Sequence, residues 1–177
     1  MTKTEIVNVV ATASINHQID LDELGKSKEI FHDSEVYGGR VAYFKTAGMQ
    51  GKVSIFLSGK MISVGTKSEA QAFKELEVAQ QFLFKKGFAK RVKLQPETRN
   101  LVVTADFEKS VSLERLSETS KVIYEPEQFP GAMLRFSEPY KTTLLIFASG
   151  KVVITGLKSS AQIEPTIEKL TKLLGSQ

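Results

Sequence analysis

The 177-residue sequence has no cysteine, no tryptophan, two histidines and five prolines. Without cysteine there is no disulfide, no thiolate metal site and no cysteine nucleophile. His17 and His32 stand apart, with no ligand partner at helical or hairpin spacing, so both are expected as surface-loop residues. No metal and no cofactor is expected. No apolar run reaches the roughly 20 residues that a membrane-spanning helix needs. The opening "MTKTEIVNVV" has neither the apolar stretch nor the cleavage site of a secretory leader, and an intracellular location is expected. Charge is also short of a strong sign: 24 Lys and Arg against 20 Asp and Glu give +4, a mild leaning toward acidic partners and no basic arm. No nucleophile, base and orienting group can be assembled, so an enzyme is not expected.

What the sequence does have is the balance of a folded protein, 41% hydrophobic and 25% charged, and an internal repeat. "IFLSGKMISVGTKS" (Ile55 to Ser68) returns as "IFASGKVVITGLKS" (Ile146 to Ser159), so Phe56, Lys60 and Gly65 recur as Phe147, Lys151 and Gly156, each 91 positions on. Upstream, "VNVVATA" from Val7 matches "RNLVVTA" from Arg99, and "EVYGGRVAYF" from Glu35 matches "EQFPGAMLRF" from Glu127, both at 92. Register kept across three separated blocks marks a two-fold repeat, with residues 1–91 as the first copy and 92–177 as the second. Two copies are too few for a solenoid and predict one pseudo-symmetric body.

Each copy reads in the same order: an extended run, a short helix, several strands ending in a hairpin, and a long amphipathic helix. Asp20 and Ser112 can cap the short helices, and Ser68 and Ser159 the long ones. Ile163, Ile167, Leu170 and Leu174 recur at helical spacing and read as core, while Pro165 should bend that helix or delay its start. In "LLIFASGKVVIT", strand alternation puts Leu144, Ile146, Val152 and Ile154 on one face and Leu145, Phe147, Val153 and Thr155 on the other. One long helix per copy covers only one side of a sheet. The second apolar face is therefore expected to stay open for a partner.

"YEPEQFPGAMLRF", "LLIFASGKVVITGLKS" and "RNLVVTA", with their weaker upstream copies, resemble the conserved core of the TATA-binding protein family, its archaeal form in particular. The resemblance covers nearly the whole chain. It implies an α+β saddle, a ten-stranded curved antiparallel sheet with four helices on the convex side, whose concave face lies on double-stranded promoter DNA. The minor groove offers mainly acceptors on A·T pairs and adds an amine donor on G·C, so a flat apolar surface with few donors suits A·T-rich sites.

Carried over by motif, the resemblance implies wedge aromatics at Phe129 and Phe147, answered by Tyr37 and Phe56. It implies base-facing donors at Asn8 and Asn100, with Val10 and Val102 beside them. The floor would be Leu145, Val153 and Thr155, answered by Ser54, Ile62 and Val64. Backbone-facing cations would be Arg135, Lys151 and Lys158, answered by Lys60 and Lys67, with Tyr43 standing where an arginine is expected. Glu125, Glu127 and Gln128 match the family's docking loop for a transcription factor B-type protein, and the RNA polymerase machinery follows as a further partner. The cluster Lys85, Lys86, Lys90, Arg91 and Lys93 reads equally as a solvated helix end or as a contact for phosphate or an acidic regulator.

The implied role is a general transcription factor that binds and bends TATA-type DNA as a monomer, with a dimer of the free protein left open and no membrane partner. Its place is the archaeal cytoplasm at the nucleoid, or the nucleus of a eukaryote. Tyr37, Gly38-Gly39-Arg40, Ser54 and Val64 depart from the family pattern, all in the first copy. The alternative is accordingly a regulatory paralogue that binds transcription proteins with weak or altered DNA binding. An accessory domain of a nucleic-acid enzyme ranks below both.

Overall fold

Both copies of the repeat build the same element order, and the turn and cap residues explain why. The structure, a computed structural model, describes residues 2–118 and 121–175. Among these are ten strands and four α-helices. The strands are β1 (Lys3–Ser14), β2 (Ile30–His32), β3 (Val41–Phe44), β4 (Lys52–Phe56), β5 (Lys60–Thr66), β6 (Glu97–Asp106), β7 (Val122–Ile123), β8 (Gly131–Phe136), β9 (Thr142–Phe147) and β10 (Lys151–Leu157). The helices are α1 (Leu21–Leu24), α2 (Glu69–Lys85), α3 (Leu113–Ser117) and α4 (Ile163–Gly175). All strand pairs described are antiparallel.

The chain divides into two compact units. Asn8–Arg99 form the first; Met1–Val7 and Asn100–Gln177 form the second. Repeat and unit are different divisions of the chain, because the unit borders fall inside β1 and β6. The first unit has the strand order β2-β3-β4-β5-β1 and the second β6-β10-β9-β8-β7.

All four predicted helix caps are made. Asp20 Oδ1 accepts from the Glu23 N–H, Ser68 Oγ from Gln71, Ser112 Oγ from Arg115 and Ser159 Oγ from Ala161. Each satisfies a donor that the first helical turn cannot, worth about 1 kcal/mol. Pro165 delays α4 as expected: a 3-10 turn at Ser160–Gln162 precedes the α-helix. Of the predicted stripe, Ile167, Leu170 and Leu174 are buried and Ile163 is half-buried.

In the first unit α2 packs on β4 and β5. Ala72, Leu76, Ala79 and Leu83 of the helix and Val53, Ile55 and Met61 of the strands are all wholly buried. Glu75 is buried with them, and its carboxylate accepts from the Gln50 N–H at 2.7 Å, the Gly51 N–H at 3.2 Å and Gln71 Nε2 at 3.0 Å. A charge taken from water needs such partners. Gly51 fits because a Cβ there would lie 2.2 Å from the Val64 carbonyl oxygen. Beyond α2, the buried Gln80 accepts from the Val92 N–H at 2.7 Å and so ties the connecting segment to the helix.

One expectation is corrected here. His32 is not a loop residue: it lies in β2, its side chain 6% exposed, with Nδ1 at 2.9 Å from the Val41 carbonyl and Nε2 at 3.2 Å from Asp22. One sequence neighbour, Phe31, is apolar and the other, Asp33, is charged, so only the strand pairing reveals which way His32 turns. His17 is exposed.

Candidate nucleic-acid interface

The hairpin of the second unit has the two faces its alternation requires. Ile146 lies opposite Val152 and Leu144 opposite Ile154, and none of the four is more than 1% exposed. Between them Leu145, Phe147, Val153 and Thr155 are only half-buried. The open row continues along β6 with Val102 and Thr104, also half-buried. The first unit repeats the pattern: Val53, Ile55, Met61 and Ser63 are buried, and Ser54, Phe56, Ile62 and Val64 are half-buried beside Val10.

A β-bulge places each asparagine. In the second unit the register steps past Gly156, whose φ is 100°, and its N–H donates to Asn100 Oδ1 at 2.7 Å. In the first unit the register steps past Gly65, at φ 98°, and its N–H donates to Asn8 Oδ1 at 2.8 Å. Glycine is required because a side chain at such φ is strained. Fixing the carbonyl oxygen on the bulge leaves the amide NH₂ of each asparagine available as a donor. Asn100 Nδ2 also lies 3.2 Å from Thr155 Oγ1, whereas the corresponding neighbour of Asn8 is Val64, which offers no oxygen.

The aromatic pairs differ more. Phe129 and Phe147 meet edge to face, with ring centres 5.8 Å apart and planes at 63°. Gly131 makes room for them, since a Cβ there would lie 2.8 Å from Phe129 Cε1 and 3.1 Å from Phe147 Cε1. Phe129 is 41% exposed all the same. Tyr37 is 76% exposed, adopts the left-handed conformation at φ 50° and makes no ring contact among the described residues. Gly38 and Gly39 follow it with φ 63° and 70°.

Strand pairing corrects one assignment of the sequence. Tyr43 lies opposite Ser54 as Met133 lies opposite Leu145, so Tyr43 answers Met133 and Lys45 answers Arg135. The cause is loop length: the paired residues Phe31 and Tyr43 are 12 positions apart, while Ile123 and Met133 are 10 apart. Two extra residues in the first loop move the offset from 92 to 90 and break the alignment of "EVYGGRVAYF" inside that block.

Arg135, Lys151, Lys158, Lys60 and Lys67 are exposed at strand ends and after turns. Glu125, Glu127 and Gln128 are exposed on a turn closed by Gln128 and Phe129 N–H groups donating to the Glu125 carbonyl. Lys85 at the end of α2 and Lys86, Lys90, Arg91 and Lys93 beyond it are exposed, with Lys86 Nζ 5.7 Å from the Phe82 ring centre. Phe31 and Lys52 were not singled out by sequence; strand alternation would place Lys52 with Ser54 and Phe56 on the open face. Among the described residues no group of three acids or histidines could hold a metal, and no helix is long and apolar enough to cross a membrane.

The comparisons agree with this geometry. The family model described as Transcription factor TFIID (or TATA-binding protein, TBP) matches residues 3–85 and 95–176. The TATA-box-binding protein of Cenarchaeum symbiosum is 38% identical over 174 residues, 97% of this chain and 94% of its own. That of Methanopyrus kandleri is 34% identical over 176 residues, 95% and 94% of the two chains. The solved structure of Methanococcus jannaschii TBP matches with a TM-score of 0.88 at 30% identity, covering 99% of each chain, so the fold expected from the sequence is the fold found. With its family model filled twice in succession, this chain belongs to the TATA-binding protein family, whose members are transcription factors and not enzymes.

Proposed function

We propose that this protein is a general transcription factor that binds A·T-rich promoter DNA through the minor groove, bends it, and presents the complex to a transcription factor B-type protein and the RNA polymerase machinery. The observation that carries the reading is the half-open apolar row Leu145, Phe147 and Val153, with every alternate residue wholly buried. Apolar side chains arranged this regularly on one face of a sheet suit a large flat partner. Phe129 and Phe147 serve as the wedge that unstacks a base step, and kinking costs least at flexible TA steps. Asn8 and Asn100 donate their free amide hydrogens to base acceptors, while Val10, Val102, Ile62, Val64 and Thr155 line the floor. Phe56 wedges the first-unit end with Tyr37 beside it. Lys60, Lys67, Arg135, Lys151 and Lys158 hold phosphates. The loop of Glu125, Glu127 and Gln128 docks the factor B-type protein, and one copy acts per site, at the nucleoid of an archaeal cell.

The test is binding of labelled TATA-type and G·C-rich duplexes, alone and with the factor B-type protein, with end-to-end energy transfer reporting the bend. Preference for the TATA duplex with a shortened end-to-end distance is expected; equal binding of both duplexes in both conditions would overturn the reading. The regulatory alternative draws on the exposed Tyr37 and the polar Ser54. It predicts capture of the factor B-type protein with little affinity for either duplex.

A further inference from the structure

Phe31 is 63% exposed on the short strand β2, and it belongs to a contiguous patch rather than standing alone. Strand pairing sets it in one row with Tyr43, Ser54 and Ile62, each opposite the next across β2, β3, β4 and β5. Tyr43 stacks on Phe31 with centres 6.4 Å apart and planes at 28°. Lys52 Nζ stands 4.4 Å above the Tyr43 ring. Lys52 is exposed and, among the described residues, has no carboxylate partner. The matching row of the second unit has no ring: it runs Ile123, itself 56% exposed, Met133, Leu145 and Val153, and Thr143 holds the position of Lys52. The aromatic pair and its cation thus lie next to Ser54, where the first unit lacks the leucine that the second has.

We infer that Phe31, Tyr43 and Lys52 form an additional grip on the sugar-phosphate backbone of the duplex, outside the groove floor. This rests on the function proposed above. The rings take the apolar side of a deoxyribose, and the ammonium takes the adjoining phosphate. Two observations select DNA as the occupant. The row is continuous with Ser54 and Ile62 of the proposed floor, and the charge that stands over it, Lys52, is positive. The grip offsets what the first unit gives up at Ser54, and it shifts that unit's contribution from shape-reading to sequence-independent backbone binding.

The full chain is titrated against a fluorescein-labelled TATA-box duplex over a series of potassium chloride concentrations, using Tyr43→Ser, Phe31→Ser, Lys52→Ser and Phe147→Ala. Tyr43→Ser and Phe31→Ser are each expected to weaken binding roughly tenfold, the scale of losing one stacked ring. Lys52→Ser is expected to lower the slope of log K against log salt by about 0.9, one released counterion. Phe31 and Lys52 are exposed and Tyr43 is half-buried, so thermal unfolding should be unchanged in Lys52→Ser and change little in Phe31→Ser; Lys52→Ser keeps the test valid should either ring variant fold poorly. Wild-type affinity and wild-type slope in Tyr43→Ser and Lys52→Ser overturn the grip. Phe147→Ala reports separately: wild-type affinity there overturns the DNA reading itself, whereas a weakened Phe147→Ala beside unaffected Tyr43→Ser and Lys52→Ser overturns the grip alone.

Discussion

The two units share a strand order and differ in how each treats its open face. In the second unit Leu145 and Val153 lie on the open face, Gly131 seats Phe129 against Phe147, and Thr155 braces Asn100. The first unit keeps Asn8, Val10 and Phe56, has Ile62 for Val153, and departs elsewhere: Ser54 for a leucine, Val64 for the threonine, an exposed Tyr37 on a longer loop, and an outer cluster of Phe31, Tyr43 and Lys52. The covered sides differ too. Glu75 and Gly51 form a buried carboxylate clamp where the second unit has Thr166 and Thr142. A repeat can preserve backbone pairing while its surfaces diverge, because the sheet depends on the buried alternate residues and only the ligand meets the others.

That contrast can be broken most severely through the covered face. Leu144→Ala should destabilise the protein by about 2–5 kcal/mol in urea unfolding, through lost burial and the cavity left behind. Its neighbour Leu145→Ala should cost only about 1 kcal/mol of stability. If the two variants unfolded alike, the division into covered and open faces would be wrong. Next comes the wedge. Phe147→Ala should weaken binding of a TATA duplex by about 2 kcal/mol or more, roughly 30-fold, in an anisotropy titration. Phe56→Ala should cost less, because among the described residues no ring partner holds Phe56 in place. Equal losses would show that the first unit wedges as firmly as the second.

Smaller changes sharpen the comparison. Ser54→Leu should restore floor contact and tighten binding by about 1 kcal/mol, roughly fivefold, with most of the gain on the TATA duplex. A gain shared equally with a G·C-rich duplex would point to non-specific contact. Val64→Thr offers Asn8 the hydroxyl that Asn100 has, and should change affinity by under about 1 kcal/mol. An amide resonance of Asn8 Nδ2 shifted toward that of Asn100 would check the new contact directly.

Much of this was legible in residue order. The caps at Asp20, Ser68, Ser112 and Ser159 each needed only a short polar side chain immediately before a helical turn. The faces of the β9–β10 hairpin followed from period two. Legibility failed where loops change length. Nothing in "EVYGGRVAYF" marks the two added residues, so Tyr43 took the place of an arginine that register gives to Lys45. It failed again at His32 and Phe31. A polar residue and an exposed ring look alike in sequence until pairing shows one turned inward and the other outward.

By itself, then, the sequence determined the repeat, the strands and helices, the buried alternate residues and the family, because these rest on local spacing and on side-chain type. Tertiary structure alone decided which residue answers which between the copies, where Phe129 meets Phe147, that Gly65 and Gly156 hold the asparagine carbonyls, and that Phe31, Tyr43 and Lys52 come together. Those facts depend on register, and register is set by pairing between strands far apart in the chain, where one inserted residue reassigns every partner beyond it.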